Sequence, residues 1–414
     1  MIRPILVSLL LFSIAATHAV AEAVPVKIVP GVGITRGGEP YFVKGAAGDK
    51  HLDELVAAGG NSFRTWTTNG LSEILAEAQK RDLTVCAGIW LEPECSWFSY
   101  SKPEHCARQT ERVKKEVLQY RDHPALLFWG LGNEAEGDGE NAAYWKQLEV
   151  LAKGVKELDP AHPTFTAVAG LQPAKAAGLQ AHTPSLDFVG INTYGALHGL
   201  RDYLTKANWT RPWVVTEYGA RGFWESPHTS WDAPIEPTSG NKARDIRKGY
   251  EAAIKPAGDC WGGYVFLWGQ KQEATSTWFG IFTETGESTA VLDLMHELWK
   301  GQPPKEHAPE LKNLTSTAAK KELDANSEFT AQAEATDADG DPLTYHWTVT
   351  PESSDRDDKG RERKTKPMPQ CVIKAEGSSA TFHAPEKTGA YRVHLRVTDN
   401  RKRAATGNFP IKVK

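Results

Sequence analysis

Two glutamates stand where short apolar runs end. Gly132-Asn133-Glu134 follows the run from Ala125 to Gly130, and Glu217-Tyr218-Gly219 follows Trp213 to Thr216. A pair of carboxylates held in different surroundings can divide labour, one ionised to attack and the other protonated to donate. At a sugar acetal this is the chemistry of a retaining glycosidase, whose two carboxyl groups sit about 5–5.5 Å apart, one reaching the anomeric carbon and the other the departing oxygen. The competing reading for either glutamate alone is a helix cap or an ion-pair partner at a strand end.

Such a pair needs a frame that brings distant chain segments together. From Tyr41 to Trp299 apolar runs alternate with amphipathic segments, the pattern of parallel strands with crossover helices. Strands are expected to begin near Tyr41, Asn61, Thr84, Ala125, Thr164, Asp187, Trp213 and Gly263. Between them Leu71, Ile74, Leu75 and Ala78 recur at helical spacing, as do Leu148, Leu151, Ala152 and Val155, and Val291, Leu294, Met295 and Leu298. Eight such units predict an α/β fold, a (β/α)8 TIM barrel, in which Glu134 and Glu217 end the fourth and seventh strands and face each other across the mouth. Lys44-Gly45-Ala46-Ala47-Gly48 has neither Rossmann nor Walker spacing, which removes the common nucleotide folds. After Trp299 the period changes to two, with Tyr345, Trp347 and Val349, then Tyr391, Val393, Leu395 and Val397. That alternation predicts a C-terminal all-β immunoglobulin-like sandwich. Cys371 is the only cysteine within it, so an antibody-type inter-sheet disulfide cannot form. The expected division is a signal peptide over 1–21, a catalytic barrel over 22–302 and the sandwich over 303–414.

The motifs around the two glutamates resemble clan A of the glycoside hydrolases, over roughly Tyr41 to Trp299. The resemblance implies Glu134 as general acid/base and Glu217 as nucleophile. It also matches Arg64 in Phe63-Arg64-Thr65-Trp66 to the clan's second-strand arginine, Tyr194 in Ile191-Asn192-Thr193-Tyr194 to its sixth-strand tyrosine, and Trp268 to its eighth-strand tryptophan. Arg64 and Tyr194 would then favour the charged form of Glu217, Asn133 would hydrogen-bond a sugar 2-hydroxyl, and Trp268 would floor the cleaving subsite. Tyr218 is a second hydroxyl near Glu217, at a position expected to point away from the barrel axis. Gly88-Ile89-Trp90-Leu91-Glu92 departs from clan members that carry a histidine near the third strand end. A clan A barrel joined to one immunoglobulin-like domain most resembles the two-domain bacterial endo-β-1,3-glucanases of glycoside hydrolase family 158. That resemblance implies internal cleavage of a β-glucan, with an exo-acting β-glycosidase or a β-mannanase as the next readings and a glycan-binding protein without catalysis as the reading of another class.

Composition agrees with a sugar ligand. The 414 residues carry a net charge of −4, which offers no basic field for nucleic acid, and include 14 tryptophans, whose flat faces suit sugar rings. Trp90 and Trp224 are the loop tryptophans assigned to substrate binding; Trp66, Trp97, Trp231 and Trp278 also lie in or beside strand-end loops, and about half of all six are expected to line subsites. Glu92, Glu94 and Gln270 are further polar candidates with ordinary structural readings. No cofactor is expected, and no cysteine spacing resembles a zinc site. Arg3, the apolar run Ile5 to Ala16 and Ala19-Val20-Ala21 read as an export signal, giving a secreted or periplasmic protein with no integral membrane segment once the signal is removed. Export makes a Cys95–Cys106 disulfide plausible. Asp337-Ala338-Asp339-Gly340-Asp341 is read as a turn in preference to a calcium loop, and the charged stretch Ser353 to Pro367 as a solvated loop.

Overall fold

The computed structural model describes residues 22–357 and 360–414; the signal peptide expected over 1–21 lies outside the described residues. The described chain opens with an antiparallel ribbon of β1 (Val26–Val29), β2 (Gly33–Arg36) and β3 (Glu39–Tyr41). These strands are too short to leave a periodic signal in the sequence. They close the amino-terminal end of the barrel: the Val26 amide donates to Ala161 O at 2.8 Å and Arg36 to Pro124 O at 2.7 Å, both just ahead of barrel strands. Val26 and Ile34 are buried there against the barrel interior.

Eight parallel strands form a closed barrel: β4 (Val43–Ala47), β5 (Ser62–Arg64), β6 (Thr84–Ile89), β7 (Leu126–Asn133), β8 (Thr164–Ala169), β9 (Phe188–Asn192), β10 (Trp213–Gly219) and β11 (Cys260–Phe266). Their starts fall close to the expected positions, and pairing of Gly262 with Val43 closes the ring. The helical stripes bury as their spacing requires. Leu71, Leu75 and Ala78 are inward on helix Leu71–Gln79, Leu148, Leu151, Ala152 and Val155 on Ala142–Leu158, and Val291, Leu294 and Met295 on Ala290–Lys300. Asn141 caps the second of these by accepting from the Ala143 and Tyr144 amides.

Aromatic side chains fill the barrel beneath its carboxyl end. Phe165 and Phe188 stack at 4.8 Å, and Phe128 meets Phe188 edge-on at 4.9 Å. Glycine is required at position 45, because a Cβ there would stand 2.3 Å from the Tyr264 ring. A packed interior of this kind fixes the strand ends that carry the site.

The second domain pairs two four-stranded sheets, β12 (Glu310–Ser316), β14 (Glu328–Thr336), β17 (Ser379–His383) and β16 (Val372–Glu376) in one, and β13 (Glu322–Leu323), β19 (Ala404–Val413), β18 (Gly389–Thr398) and β15 (Thr344–Pro351) in the other. Trp347, Val349, Val393, Leu395 and Val397 point into its core beside the stacked Phe329–Phe382 pair. Asp337 builds the turn between strands by accepting from the Asp339 and Asp341 amides at 2.8 and 3.1 Å, and the three carboxylates converge within 4.8 Å of one another.

Two expectations need correction. Cys95 and Cys106 are free thiols, and the Cys106 thiol turns to the Tyr100 carbonyl at 3.4 Å instead of to Cys95. The stretch from Ser353 to Pro367 is not simply solvated. The Glu362 carboxylate accepts from the Ala274 amide of the barrel at 2.8 Å, and Lys364 pairs with Glu284.

The barrel and the sandwich share a buried polar seam. Alternation along β18 sends Val393 and Leu395 into the sandwich core and Arg392 and Arg396 outward, toward the barrel. Arg392, only 1% exposed, donates to Pro234 O at 2.8 Å and Asn408 Oδ1 at 2.7 Å and pairs with Glu352 at 2.8 Å. Glu236 pairs with buried Lys242 and accepts from Asn408 at 2.6 Å. Burial alone would push the Glu236 carboxyl up, but the Lys242 ammonium outweighs it and holds the carboxyl down at about 2. The Thr406 amide donates to Ser239 Oγ at 3.0 Å, and Arg396 pairs with Glu287 at 3.1 Å.

Candidate active site

Five strand ends deliver the side chains of the barrel mouth: the polar Arg64 from β5, Asn133 with the following Glu134 from β7, Asn192 from β9 and Glu217 from β10, and the aromatic Phe266 from β11. Glu217 is 5% exposed and receives three donors. Arg64 Nη1 lies 2.9 Å and Trp66 Nε1 2.8 Å from its Oε1, and the Tyr194 hydroxyl donates to its Oε2 at 2.7 Å. An ionised carboxylate only accepts, so it satisfies all three at once. Burial, followed by the nearby Glu217 charge, pushes the Tyr194 phenol well above its ordinary range, which keeps its proton in place as a donor.

Glu134 lies in different surroundings. Its backbone has φ 53°, a left-handed conformation uncommon outside glycine, held by its amide donating to Ala167 O at 2.8 Å. Burial first, then the Glu217 charge, raise its carboxyl above the usual carboxylate value, and a hydrogen bond from Asn192 partly opposes this. Asn192 Nδ2 donates to Glu134 Oε1 at 2.7 Å and to Asn133 Oδ1 at 3.1 Å, while its own Oδ1 accepts from Thr216 Oγ1 at 2.7 Å. Arg64 Nη2 completes the chain at 2.7 Å from Asn133 Oδ1. Because Arg64 can only donate, Asn133 must present its oxygen to it, which leaves the Asn133 amide hydrogens without a partner among the described residues.

A cavity of about 970 Å³ opens above both glutamates. Trp66, Trp90, Trp224, Phe266 and Phe279 supply its aromatic walls, with Trp90 and Trp224 about half exposed at 42% and 56%. Trp66, Trp90 and Trp224 are the three of the six loop tryptophans that line it. Trp278 is fully buried, its indole donating to Arg221 O at 2.9 Å. Glu92 is taken up by Gln109 and Arg112, Glu94 by the Tyr100 amide and Asn141, and Gln270 by Ser276 O. Tyr218 points outward, its hydroxyl against Met295 Sδ at 3.6 Å.

Trp268 is not where the strand-eight match would put it. It is 1% exposed, stacks on Trp299 at 5.9 Å and donates its indole N–H to His51 O at 3.1 Å. The chain leaves the barrel axis after Phe266, and the Trp268 amide already reaches back to Ala47 O at 2.9 Å. Phe266, two residues earlier, forms that wall of the cavity. Trp268→Ala is therefore expected to lower stability by about 3–5 kcal/mol, as for other buried tryptophans, without changing turnover per folded molecule. Chemical denaturation alongside active-fraction kinetics checks this; a large fall in turnover at unchanged stability would contradict the placement.

Asn192, Gln172, Lys271, Glu273 and Arg361 also line the cavity and were not singled out from the sequence. Asn192 was within reach of such reasoning, since it ends the sixth barrel strand two residues before Tyr194. Arg361 was not, because only the folded seam brings it to the barrel.

Comparison with known proteins places this geometry. Residues 69–229 match the model of the glycosyl hydrolases family 2 TIM barrel domain, and residues 313–409 match the PKD domain model. The β-glucuronidase of Chlorocebus aethiops is 28% identical over 198 residues, which cover 43% of this chain and 29% of the relative. That of Paenibacillus borealis is 28% identical over 243 residues, covering 48% and 39%. The chain thus spans about a third of the length of these curated relatives. Among solved structures, Bacteroides uniformis β-glucuronidase 2 covalently bound to cyclophellitol-6-carboxylate aziridine aligns with a TM-score of 0.55 at 14% identity, over 94% of this chain and 48% of that one. The β-galacturonidase of Eisenbergiella tayi bound to galacturonate aligns with a TM-score of 0.53 at 14% identity, over 68% and 54%. At these identities the structures establish the shared fold. The matches overturn the resemblance to family 158 endo-β-1,3-glucanases: they point to family 2, which is also in clan A. Glutamate motifs are common to the clan, and a barrel followed by one immunoglobulin-like domain does not separate its families.

Proposed function

We propose that the protein is a retaining, exo-acting β-glycosidase that removes a single β-linked hexose or hexuronic acid from a chain end. The observation that carries the reading is the pair Glu217 and Glu134 in one cavity, the first ringed by donors and the second driven toward its protonated form. The exo mode is supported by relatives named as β-glucuronidases and by the family 2 barrel match. An export signal in the sequence supports a secreted or periplasmic location.

In the first step a Glu217 oxygen forms a bond to the anomeric carbon as the glycosidic C–O bond breaks, and Glu134 gives its proton to the departing oxygen. The sugar is then an ester of Glu217. Esterification removes the charge that helped keep Glu134 protonated, so Glu134 becomes the better base. It takes a proton from water, the water oxygen attacks the anomeric carbon, and the Glu217–sugar bond breaks. Asn133 presents its free amide hydrogens beside the reacting carbon, where a hydrogen bond to the 2-hydroxyl strengthens as positive charge develops.

Two displacements at one carbon return the starting configuration. Proton NMR of an aryl β-glycoside digest, recorded before mutarotation, is expected to show the β-anomer first; early α-anomer would refute the double displacement.

A further inference from the structure

The geometry points to Arg361, a residue of the sandwich, as a substrate-binding group that donates hydrogen bonds to hydroxyl oxygens of the retained, neutral sugar. Arg361 lines the same cavity as Glu134 and Glu217, although it lies 144 positions beyond Glu217 and in the other domain. It does not arrive there on a loose tether. The adjacent Glu362 is bound to the Ala274 amide at 2.8 Å, Lys364 is paired with Glu284, and Arg356 and Glu362 bridge the two arms of the segment. Behind them the seam around Arg392 and Glu236 joins the two domains.

The guanidinium is aimed by Asp357, which accepts from its Nε at 2.8 Å and lies 2.7 Å from Nη2. Its Nη1 has no partner among the described residues, and the side chain is 67% exposed. A planar fork with donors left over, at the wall of a sugar-sized cavity, suits an oxygen acceptor.

Topology says which part of the substrate it meets. Arg361 stands beside Ala274, in the loop after β11, and β11 lies four strands from β7 in a ring of eight, directly across from Glu134. Because Glu134 must protonate the departing oxygen, the leaving group lies on the β7 side and the retained sugar on the β11 side.

Charge says which acceptor. Lys271 on the same wall is paired with Glu273 at 2.7 Å, as Arg361 is with Asp357. Each cation is already offset by a carboxylate, so this wall has no net positive charge to draw a uronate carboxylate, whereas a hydroxyl needs only a free N–H. The inference rests on the glycosidase reading and narrows its substrate to a neutral hexose.

The test compares the full chain with Arg361→Ala and Arg361→Lys on 4-nitrophenyl β-glucoside, β-galactoside and β-glucuronide, with binding of the matching methyl β-glycosides followed through tryptophan fluorescence. Wild type is expected to prefer a neutral glycoside. Arg361→Ala should lower kcat/KM for it about tenfold, mainly through KM, as expected for one charge-assisted hydrogen bond at a partly solvated site. Arg361→Lys should fall between, and both variants should melt as wild type does. Equal kcat/KM for wild type and Arg361→Ala on every cleaved substrate overturns the proposal, and a preference for the glucuronide that is lost in Arg361→Ala overturns the neutral assignment. If wild type cleaves none of them the glycosidase reading fails. Arg361 is then judged by fluorescence alone: weaker binding in Arg361→Ala supports its role, and binding that is unchanged in Arg361→Ala, or absent already in wild type, overturns it.

Discussion

Glu217→Ala is expected to lower turnover on the order of 10⁵-fold, by comparison with other enzymes stripped of a covalent nucleophile. At 1.36 kcal/mol per tenfold this is about 7 kcal/mol of transition-state stabilisation. The loss should be this large because no neighbour can substitute: Arg64, Trp66 and Tyr194 face Glu217 only as donors. The same substitution strands the Arg64 guanidinium, which is only 2% exposed, with its remaining contacts to Thr216 O and Asn133, so a modest loss of stability should accompany it. Added azide or formate could enter the vacated space and attack from the side Glu217 used, forming an α-glycosyl product. Turnover of Glu217→Ala within tenfold of wild type on an aryl β-glycoside would remove Glu217 from the mechanism.

Glu134→Ala should behave differently, since its cost depends on the leaving group. For an alkyl or sugar leaving group, which must depart with a proton, a loss of roughly 10²–10⁴-fold is expected. For 2,4-dinitrophenolate the first step should be nearly unimpaired and the second slow, so one equivalent of phenolate should appear in a burst. The pH dependence follows in sign. The active form carries the Glu134 proton, and its carboxyl titrates above the ordinary range because it is buried and faces Glu217. Wild-type kcat/KM for an unactivated substrate should therefore fall as pH rises through that raised value. In Glu134→Ala that alkaline limb should vanish for the activated substrate. An equal loss for both leaving groups, with the limb intact, would mean that Glu134 is not the acid.

The parts of this architecture that are periodic were legible in the sequence. Leu148, Leu151, Ala152 and Val155 mark a helix face because burial repeats with the helical turn, and the barrel strands announce themselves as apolar runs. Glu134 and Glu217 were legible because strand ends are where a barrel exposes its side chains. Trp268 shows the limit of that reasoning. The strand-eight match identified the right loop but not the residue at which the chain turns away from the axis, and a two-residue error exchanges Phe266 in the cavity wall for Trp268 in the core. The ribbon β1–β3 left no signal because its strands have only four, four and three residues, too few for an alternation to stand out. The role of Ser353 to Pro367 was hidden for another reason. A charged loop reads alike whether water or a second domain satisfies its charges, and only the fold shows Glu362 and Lys364 meeting Ala274 and Glu284.

The polar seam between the domains has a thermodynamic consequence. Separating the sandwich from the barrel would expose or strand Arg392, Glu236, Lys242 and Asn408 together, since each satisfies another across the boundary or beside it. Buried charges that lose their partners are costly, which disfavours a state with one domain melted and the other intact. The two should melt in a single transition, unlike a catalytic module with a loosely tethered passenger. A ligand that binds only the native barrel then raises the melting temperature of the sandwich by mass action, including strands such as β16 that lie far from the cavity.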